Sequence, residues 1–340
     1  MTKIDLRSDT VTMPDEKMLK AMISAPAGDM VMGEDPSVNE LEKKISRLFG
    51  MEDAAFCPSG TMTNQIAVKV HTRPGDEVIC SKLAHIYLYE GGGIAFNSGA
   101  SVALIDSPDG TFTAEQVAEN INPDDPHKPH TSLVCIENTV NRGGGKIWDF
   151  NELKRIKEVC NHNNLHYHLD GARVFNAITA TNQTPADFGS MFDSVSVCLS
   201  KGLGAPVGSL LLGSESFIKH ARRVRKVMGG TMRQAGYIAA AGLYALDNNI
   251  ERLKDDHRNA KIISSSLSEC NWIKEVMPVH TNIIIFKIAD ELSSASVTKK
   301  FAEKGILVNA VDNKSIRMVT HLDISSEMIE RVCAELKKLF

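Results

Sequence analysis

The sequence predicts an α/β protein. It has a large domain with a mostly parallel sheet sandwiched by helices, followed by a small C-terminal α+β domain. Three observations carry this. Short apolar runs alternate with helical stretches between residues 54 and 200, the rhythm of a parallel sheet covered on both faces. Two of those runs lead into polar residues, Asp170 and Lys201, on one carboxyl edge, where open α/β sheets bind their ligands. At 340 residues the chain is long for one core, which argues for an arm and large domain over 1–247 and a small domain over 248–340.

In chain order, residues 3–13 read as an irregular arm. Pro14 stands near a helix start, and helical spacing follows over 15–22. GDMVMGEDPSV is a polar loop. Ser37 as N-cap with Glu40 three residues on forms a capping box for a helix over 37–49. Residues 54–57 make a short strand, and PSGTMTN opens a helix running to about His71. GDEVIC, SVALID, SLVCIEN, HYHLD and SVSVCLS read as strands, AEQVAENI and NELKRIKEVCNHNN as helices. From about Arg222 the chain turns helical, and AGYIAAAGLYALDNNIERLKDDHRNAKIISSSLSE is long enough to cross between the domains. Strand HTNIIIFKIA, helix SASVTKKFAEKG, strands ILVNAV and SIRMVTH, and helix SEMIERVCAELKKLF complete the small domain.

Composition narrows the function. The chain is 43% hydrophobic and 24% charged, ordinary for a globular protein. A net charge of −4 gives no overall attraction to nucleic acid or to an anionic membrane. No apolar run reaches the roughly 20 residues of a membrane helix, and the polar, charged N-terminal stretch does not read as a signal peptide. The seven cysteines form no CxxC pair, so zinc and thioredoxin-like motifs are missing. The odd number suggests reduced thiols in the cytoplasm, and no ligand spacing predicts a metal.

Four features could carry chemistry. Lys201 follows an apolar run and is itself followed by glycine-rich chain. Alone it would read as a surface lysine, or else as an amine able to bond a carbonyl cofactor. Ser59-Gly60-Thr61 lies between a strand and a helix, where free N–H groups cap the helix or hold an anion. Asp170 ends a strand before Gly171, and His85 stands just beyond another. Together, a phosphate cup, an edge aspartate and an edge lysine are what pyridoxal phosphate requires: a grip on the phosphate, a partner for the pyridine nitrogen and an amine for the aldehyde. His85 could lie flat on the ring.

The motifs DLRSDTVT, GEDPSVNELE, SGTMTNQ, IENTVNRGGG, HLDGARVFNA, CLSKGLGAPVGS, GGTMRQAG and IRMVTHLD resemble those of the L-threonine aldolases of the fold-type I pyridoxal-phosphate superfamily, in the same order and over nearly the whole chain. The resemblance implies a lyase that cleaves L-threonine or L-allo-threonine to glycine and acetaldehyde, with low stereospecificity at Cβ. A phenylserine aldolase or a β-eliminating lyase is the alternative. It implies pyridoxal 5'-phosphate held covalently on Lys201, and Asp170 at the pyridine nitrogen. Arg173 would lie near the ring hydroxyl and the substrate carboxylate, with His85 stacked on the ring and Gly60, Thr61 and Ser200 on the phosphate. Ser8 and Arg317 would join Arg173 on the carboxylate, and His127, preferred over His130, would stand near the substrate hydroxyl. Lys226 and Arg233 would reach a neighbouring subunit's cofactor phosphate in a tetramer whose sites lie at a dimer interface. Two positions depart from the family pattern: Met32 where an aromatic is common, and Val140 within ENTVN where a histidine is common.

Overall fold

The computed structural model describes residues 3–340, which include the whole of the expected arm. Strand β1 (Ile4–Asp5) belongs to the arm. The main sheet comprises β2 (Asp53–Cys57), β3 (Glu77–Ser81), β4 (Ser101–Ile105), β5 (Thr131–Glu137), β6 (His166–Gly171), β7 (Ser194–Cys198) and β8 (Ser209–Gly213). Its order is β2-β8-β7-β6-β5-β3-β4; β8 runs antiparallel to both neighbours and every other pairing is parallel. Strands β5 and β7 are buried along their whole length, β7 even at Ser194 and Ser196 of its alternating sequence. Register places Glu137 beside Asp170 and Asp170 beside Ser196. Polar residues of three adjacent strands thus meet at one carboxyl edge.

The helices that frame this sheet are α1 (Glu16–Ile23), α2 (Pro36–Phe49), α3 (Gly60–His71), α4 (His85–Leu88), α5 (Ala114–Glu119), α6 (Phe150–His162), α7 (Val174–Ala180), α8 (Pro185–Met191), α9 (Glu215–Val227) and α10 (Gly236–Asn248). Helix α11 (Leu253–Ser268) leads into the small sheet of β9 (Ile273–Val276), β10 (Ile283–Ile288), β12 (Asn309–Ala310) and β13 (Ser315–Val319), in the order β12-β13-β10-β9. Helix α12 (Ser294–Glu303), strand β11 (Ile306–Leu307) and helix α13 (Ser326–Leu336) complete the chain.

Each sheet has its own core. Leu41, Phe56, Val134, Leu169, Val195 and Leu212 lie in the larger one. Trp272, Phe286, Phe301, Ile316 and Leu336 lie in the smaller, together with Ile4 and Leu6 of the arm. The arm therefore does not pack only with the large domain: β1 pairs in parallel with β11, Ile4 opposite Ile306.

Three local expectations are corrected. Helix α2 is capped by Asp35, whose Oδ1 accepts from the Val38 N–H at 3.0 Å, and not by Ser37. Pro36 sets the start because its ring suits the first helical position, while the Ser37 hydroxyl donates instead to the Pro26 carbonyl at 2.7 Å. The long crossing helix is two helices. Between them the buried Asn249 side chain donates to the Leu203 carbonyl at 2.7 Å. Strand β8 was not anticipated, and α9 begins at Glu215 rather than near Arg222.

Phe286 is fully buried, with Trp272 edge-on at 6.1 Å between ring centroids. Phe286→Ala is expected to lower unfolding free energy by about 3–5 kcal/mol. Denaturant titration checks this, and a loss well under about 1 kcal/mol would show that the small core is not packed as described.

Candidate active site

A cavity of about 350 Å3 opens between the carboxyl edge of the main sheet and the small sheet. Its walls include Ser8, His85, Tyr89, Asn141, Arg173, Lys201 and Arg317. Lys201 stands three residues beyond β7, with its Nζ 3.7 Å from Cys198 Sγ. The chain turns immediately after it: the Gly204 N–H closes onto the Lys201 carbonyl at 2.8 Å with φ of +79°, a conformation that suits glycine.

Asp170, at the end of β6, is 3% exposed. Its Oδ2 accepts from Asn64 Nδ2 at 2.9 Å, and its Oδ1 from the Ala172 N–H at 3.1 Å. His85 opens α4 just past β3. Its backbone N–H donates to Glu137 Oε2 at 2.9 Å, and its Nδ1 lies 3.0 Å from Glu90 Oε1. Burial lowers the proton affinity of His85, but the Glu90 hydrogen bond and the charges of Asp170, Glu90 and Glu137 outweigh it and raise its pKa. Glu137 is pushed up to about 7, mainly by burial and then by Asp170, against two backbone N–H donors. Ligand atoms of His85, Glu90 and Asp170 come within 4.8 Å of one another, a spacing that suits a cation; here the neutral Asn64 amide donates one hydrogen to each carboxylate.

Arg173 donates from Nε and Nη2 to the two oxygens of Asp9, each at 2.7 Å, in a pair that is almost wholly buried. Burial opposes ionisation of Asp9, yet Arg173, aided by Lys201 and Asn282, holds its carboxyl well below the usual range. Two of the five Arg173 N–H groups, on its Nε–Nη2 edge, are therefore committed to Asp9. Arg317, on β13, reaches the cavity from the other side. It donates from Nη1 to Asn141 Oδ1 at 2.9 Å and from Nη2 to the Arg7 carbonyl at 3.1 Å. Its Nε is buried with no hydrogen-bond partner. Burial and the neighbouring Arg173 lower the proton affinity of Arg317.

At the start of α3, Ser59 Oγ caps the Met62 N–H, and helix geometry leaves the Gly60 and Thr61 N–H groups without an acceptor within the helix. A Cβ on Gly60 would stand 2.5 Å from Cys198 Sγ, so only glycine lets this turn lie against the end of β7. Ser200 is half-buried beside Lys201, and Thr61 is exposed. These features fit pyridoxal phosphate: an anion cup at a helix start, a buried acceptor for a ring N–H and an edge amine.

Other expected site residues lie elsewhere in the chain. His127 is on an exposed loop, with Nδ1 2.8 Å from Asp125 Oδ1, and is not on the cavity wall. His130 is also exposed. Lys226 ends α9 on the surface, and exposed Arg233 pairs with Asp29. Of the two departures, Met32 is 70% exposed, and Val140 is buried and not among the wall residues. Asp9, Asn64, Glu90, Glu137 and Asn141 were not anticipated. Asp9 and Asn64 lie inside the motifs DLRSDTVT and SGTMTNQ, but nothing local marks them as partners of Arg173 and Asp170, 164 and 106 residues away.

This sheet order and edge define the fold-type I class, and whole-chain likeness agrees. A threonine aldolase structure from Leishmania major superposes with a TM-score of 0.86 at 24% identity, over 99% of both chains. A Sphingomonas wittichii serine palmitoyltransferase gives 0.77 at 16%, over 99% of this chain and 87% of the other, a likeness of fold alone. Residues 5–291 match the beta-eliminating lyase family. The chain is 44% identical to the low specificity L-threonine aldolase of Escherichia coli K12 over 97% of each, and 40% identical to a probable low-specificity L-threonine aldolase of Arabidopsis thaliana over 99% of this chain and 97% of that one. It belongs to the low-specificity L-threonine aldolase family.

Asp9→Asn would leave Arg173 buried without its counter-charge and is expected to cost about 3–5 kcal/mol of stability. Because the Asp9 carboxyl sits below its ordinary pKa, the wild-type contribution is present above about pH 4 and is lost only as pH falls through the lowered value. Melting curves against pH for both proteins check this; equal stability at pH 7 would contradict it.

Proposed function

We propose that this chain cleaves L-threonine and L-allo-threonine to glycine and acetaldehyde, with little discrimination at Cβ, using pyridoxal 5'-phosphate bonded to Lys201. The observation that carries this reading is the convergence of Lys201, His85 and Arg317 on one cavity, with Asp170 buried at the same sheet edge. When bound, the cofactor supplies an electron sink for the pair released as Cα–Cβ breaks.

The protein's own groups divide the remaining work. The Gly60 and Thr61 N–H groups and Ser200 hold the phosphate at the positive end of α3. Asp170, a fixed acceptor, favours a proton on the pyridine nitrogen. Arg317 holds the substrate carboxylate, with Ser8 beside it, while Arg173, anchored by Asp9, contributes its remaining N–H edge. That grip sets the rotation of the substrate, so that Cα–Cβ can stand perpendicular to the ring. His85 takes the β-hydroxyl proton, directly or through a water. Its Nδ1 is committed to Glu90, Nε2 is the nitrogen left for the substrate side, and the surrounding carboxylates raise its basicity as a base requires. The amine of Lys201 is free to bond the cofactor and to return after glycine forms.

His127, Lys226 and Arg233 act in the site of a second copy, in a homotetramer with sites at a dimer interface. All three are exposed here, and the surface also carries Val31, Met32, Phe96, Val227 and Tyr237, an apolar set that a partner chain would cover. The seven cysteines are free thiols, in keeping with a reducing cytoplasm.

Offering L-threonine, L-allo-threonine, phenylserine and serine in parallel should yield acetaldehyde from the first two at comparable rates. Benzaldehyde alone, or pyruvate from serine, would overturn the assignment in favour of a phenylserine aldolase or a β-eliminating lyase. Lys201→Ala should lose the visible absorbance of the bound cofactor and its activity by several orders of magnitude; an unchanged spectrum contradicts the role of Lys201. Arg317→Ala should raise KM for threonine about 10- to 100-fold with little change in cofactor affinity, measured by steady-state kinetics and cofactor titration.

A further inference from the structure

We propose that Asn64, His168, Ser194 and His71 form a one-directional hydrogen-bond chain through the core of the main sheet that positions the Asp170 carboxylate for the cofactor ring. The inference rests on the cofactor reading above and concerns residues outside the cavity wall.

The direction of the chain follows from what each group can donate. Asn64 Nδ2 lies 2.9 Å from Asp170 Oδ2 and 2.9 Å from Glu90 Oε1. Carboxylate oxygens accept, so the amide must turn its two hydrogens to them and its carbonyl away. That carbonyl oxygen is 3.3 Å from His168 Nε2, which must therefore carry hydrogen. His168 is fully buried, and burial drops its pKa to about 4, so the ring is neutral and Nδ1 is a bare acceptor. Ser194 Oγ, 2.8 Å from that nitrogen, has a single hydrogen and gives it there. The serine oxygen can then only accept from His71 Nε2, also at 2.8 Å. Burial pushes the pKa of His71 well down, so this ring too is a neutral Nε2–H donor. Every hydrogen in the chain points towards Asp170 and Glu90.

The strands explain the spacing. His168 lies two residues before Asp170 on β6, on the same face, and pairs in register with Ser194 on β7. Asn64 and His71 are seven residues apart on α3, two turns of one helix face. The far end of the chain is clamped, since the His71 ring stacks on Phe217 at 4.5 Å and faces His166 at 4.4 Å. It borders a second cleft, of about 460 Å3, near the amino ends of the strands. A polar chain whose every link pairs one donor with one acceptor has one low-energy arrangement of hydrogens. Asn64 therefore cannot rotate its carbonyl towards Asp170, and the carboxylate keeps its plane and both oxygens as acceptors.

Asn64, His168, Ser194 and His71 are positioning residues, and the test separates positioning from mere core filling. In the wild-type holoenzyme, nitrogen NMR of the imidazoles should show His71 and His168 as neutral Nε2–H tautomers. His168→Leu and Ser194→Ala should each lower kcat about tenfold or more with KM for threonine held, and should weaken the signal of protonated pyridine nitrogen in labelled cofactor. His168→Gln, whose amide can donate to Asn64 and accept from Ser194, should restore most of both. An Nδ1–H tautomer at His168 overturns the proposal, as does full kcat with an unaltered ring-nitrogen signal in both broken variants. If His168→Leu does not fold, Ser194→Ala and the wild-type tautomers decide. If the wild-type protein binds no pyridoxal phosphate, the cofactor reading fails, and so does the positioning role. The tautomers would then report only the direction of a structural chain.

Discussion

Four carboxyl groups are buried within a short reach of one sheet edge, and the rest of the site is arranged around keeping them there. Asp9, Glu90, Glu137 and Asp170 are each 6% exposed or less. Removing such groups from water is costly unless charge or hydrogen bonds replace the solvent. Asp9 is matched by the Arg173 fork. Glu90 receives hydrogens from Asn64, Gln65 and His85. Asp170 shares the Asn64 amide and takes a backbone N–H. Glu137 has only backbone donors beside a like charge, and it is the member whose pKa climbs to about 7. One constraint thus fixes the orientations of Asn64, Arg173 and His85, and it sets the negative field in which a cationic cofactor ring would rest.

The features legible in the sequence were those that depend on neighbours in the chain. Lys201 and Asp170 stood out because each lies close to the end of a buried strand and just before glycine, and the strand rhythm placed both on one edge. The family motifs then supplied roles for residues with no local signal, such as Arg317. Features made by distant residues stayed hidden. Asp9 and Arg173 are separated by 164 positions, and Asp9 alone resembles any turn aspartate. The break between α10 and α11 was hidden because Asn249 and its neighbours do not interrupt helical spacing; the buried contact with Leu203 is tertiary. The Ser37 cap failed for the opposite reason, since a better local signal, Asp35-Pro36, stood just before it.

Two packed bodies meet over the cavity, and each contributes something the other lacks. The main sheet brings Lys201, Asp170 and the start of α3. The small sheet brings Arg317, and the loop beside β12 brings Val311 to the wall. The two guanidinium groups approach from opposite sides, and burial together with Arg173 lowers the proton affinity of Arg317. An anionic substrate group between them would relieve that repulsion as well as form hydrogen bonds.

Residues 4–9 bind these two bodies into one mechanical system. Ile4 and Leu6 are embedded in the small core, the Leu6 carbonyl accepts from Val319, and three residues later Asp9 is locked onto Arg173 in the large body. A tether of two residues between such anchors has almost no slack. The small body cannot swing away by more than a few ångströms without peeling β1 from β11 or pulling Asp9 off Arg173. The arm is thus a hinge-stop: it limits how far the cleft can gape, and it makes the spacing between Arg317 and Lys201 a property of the N-terminus as much as of either sheet.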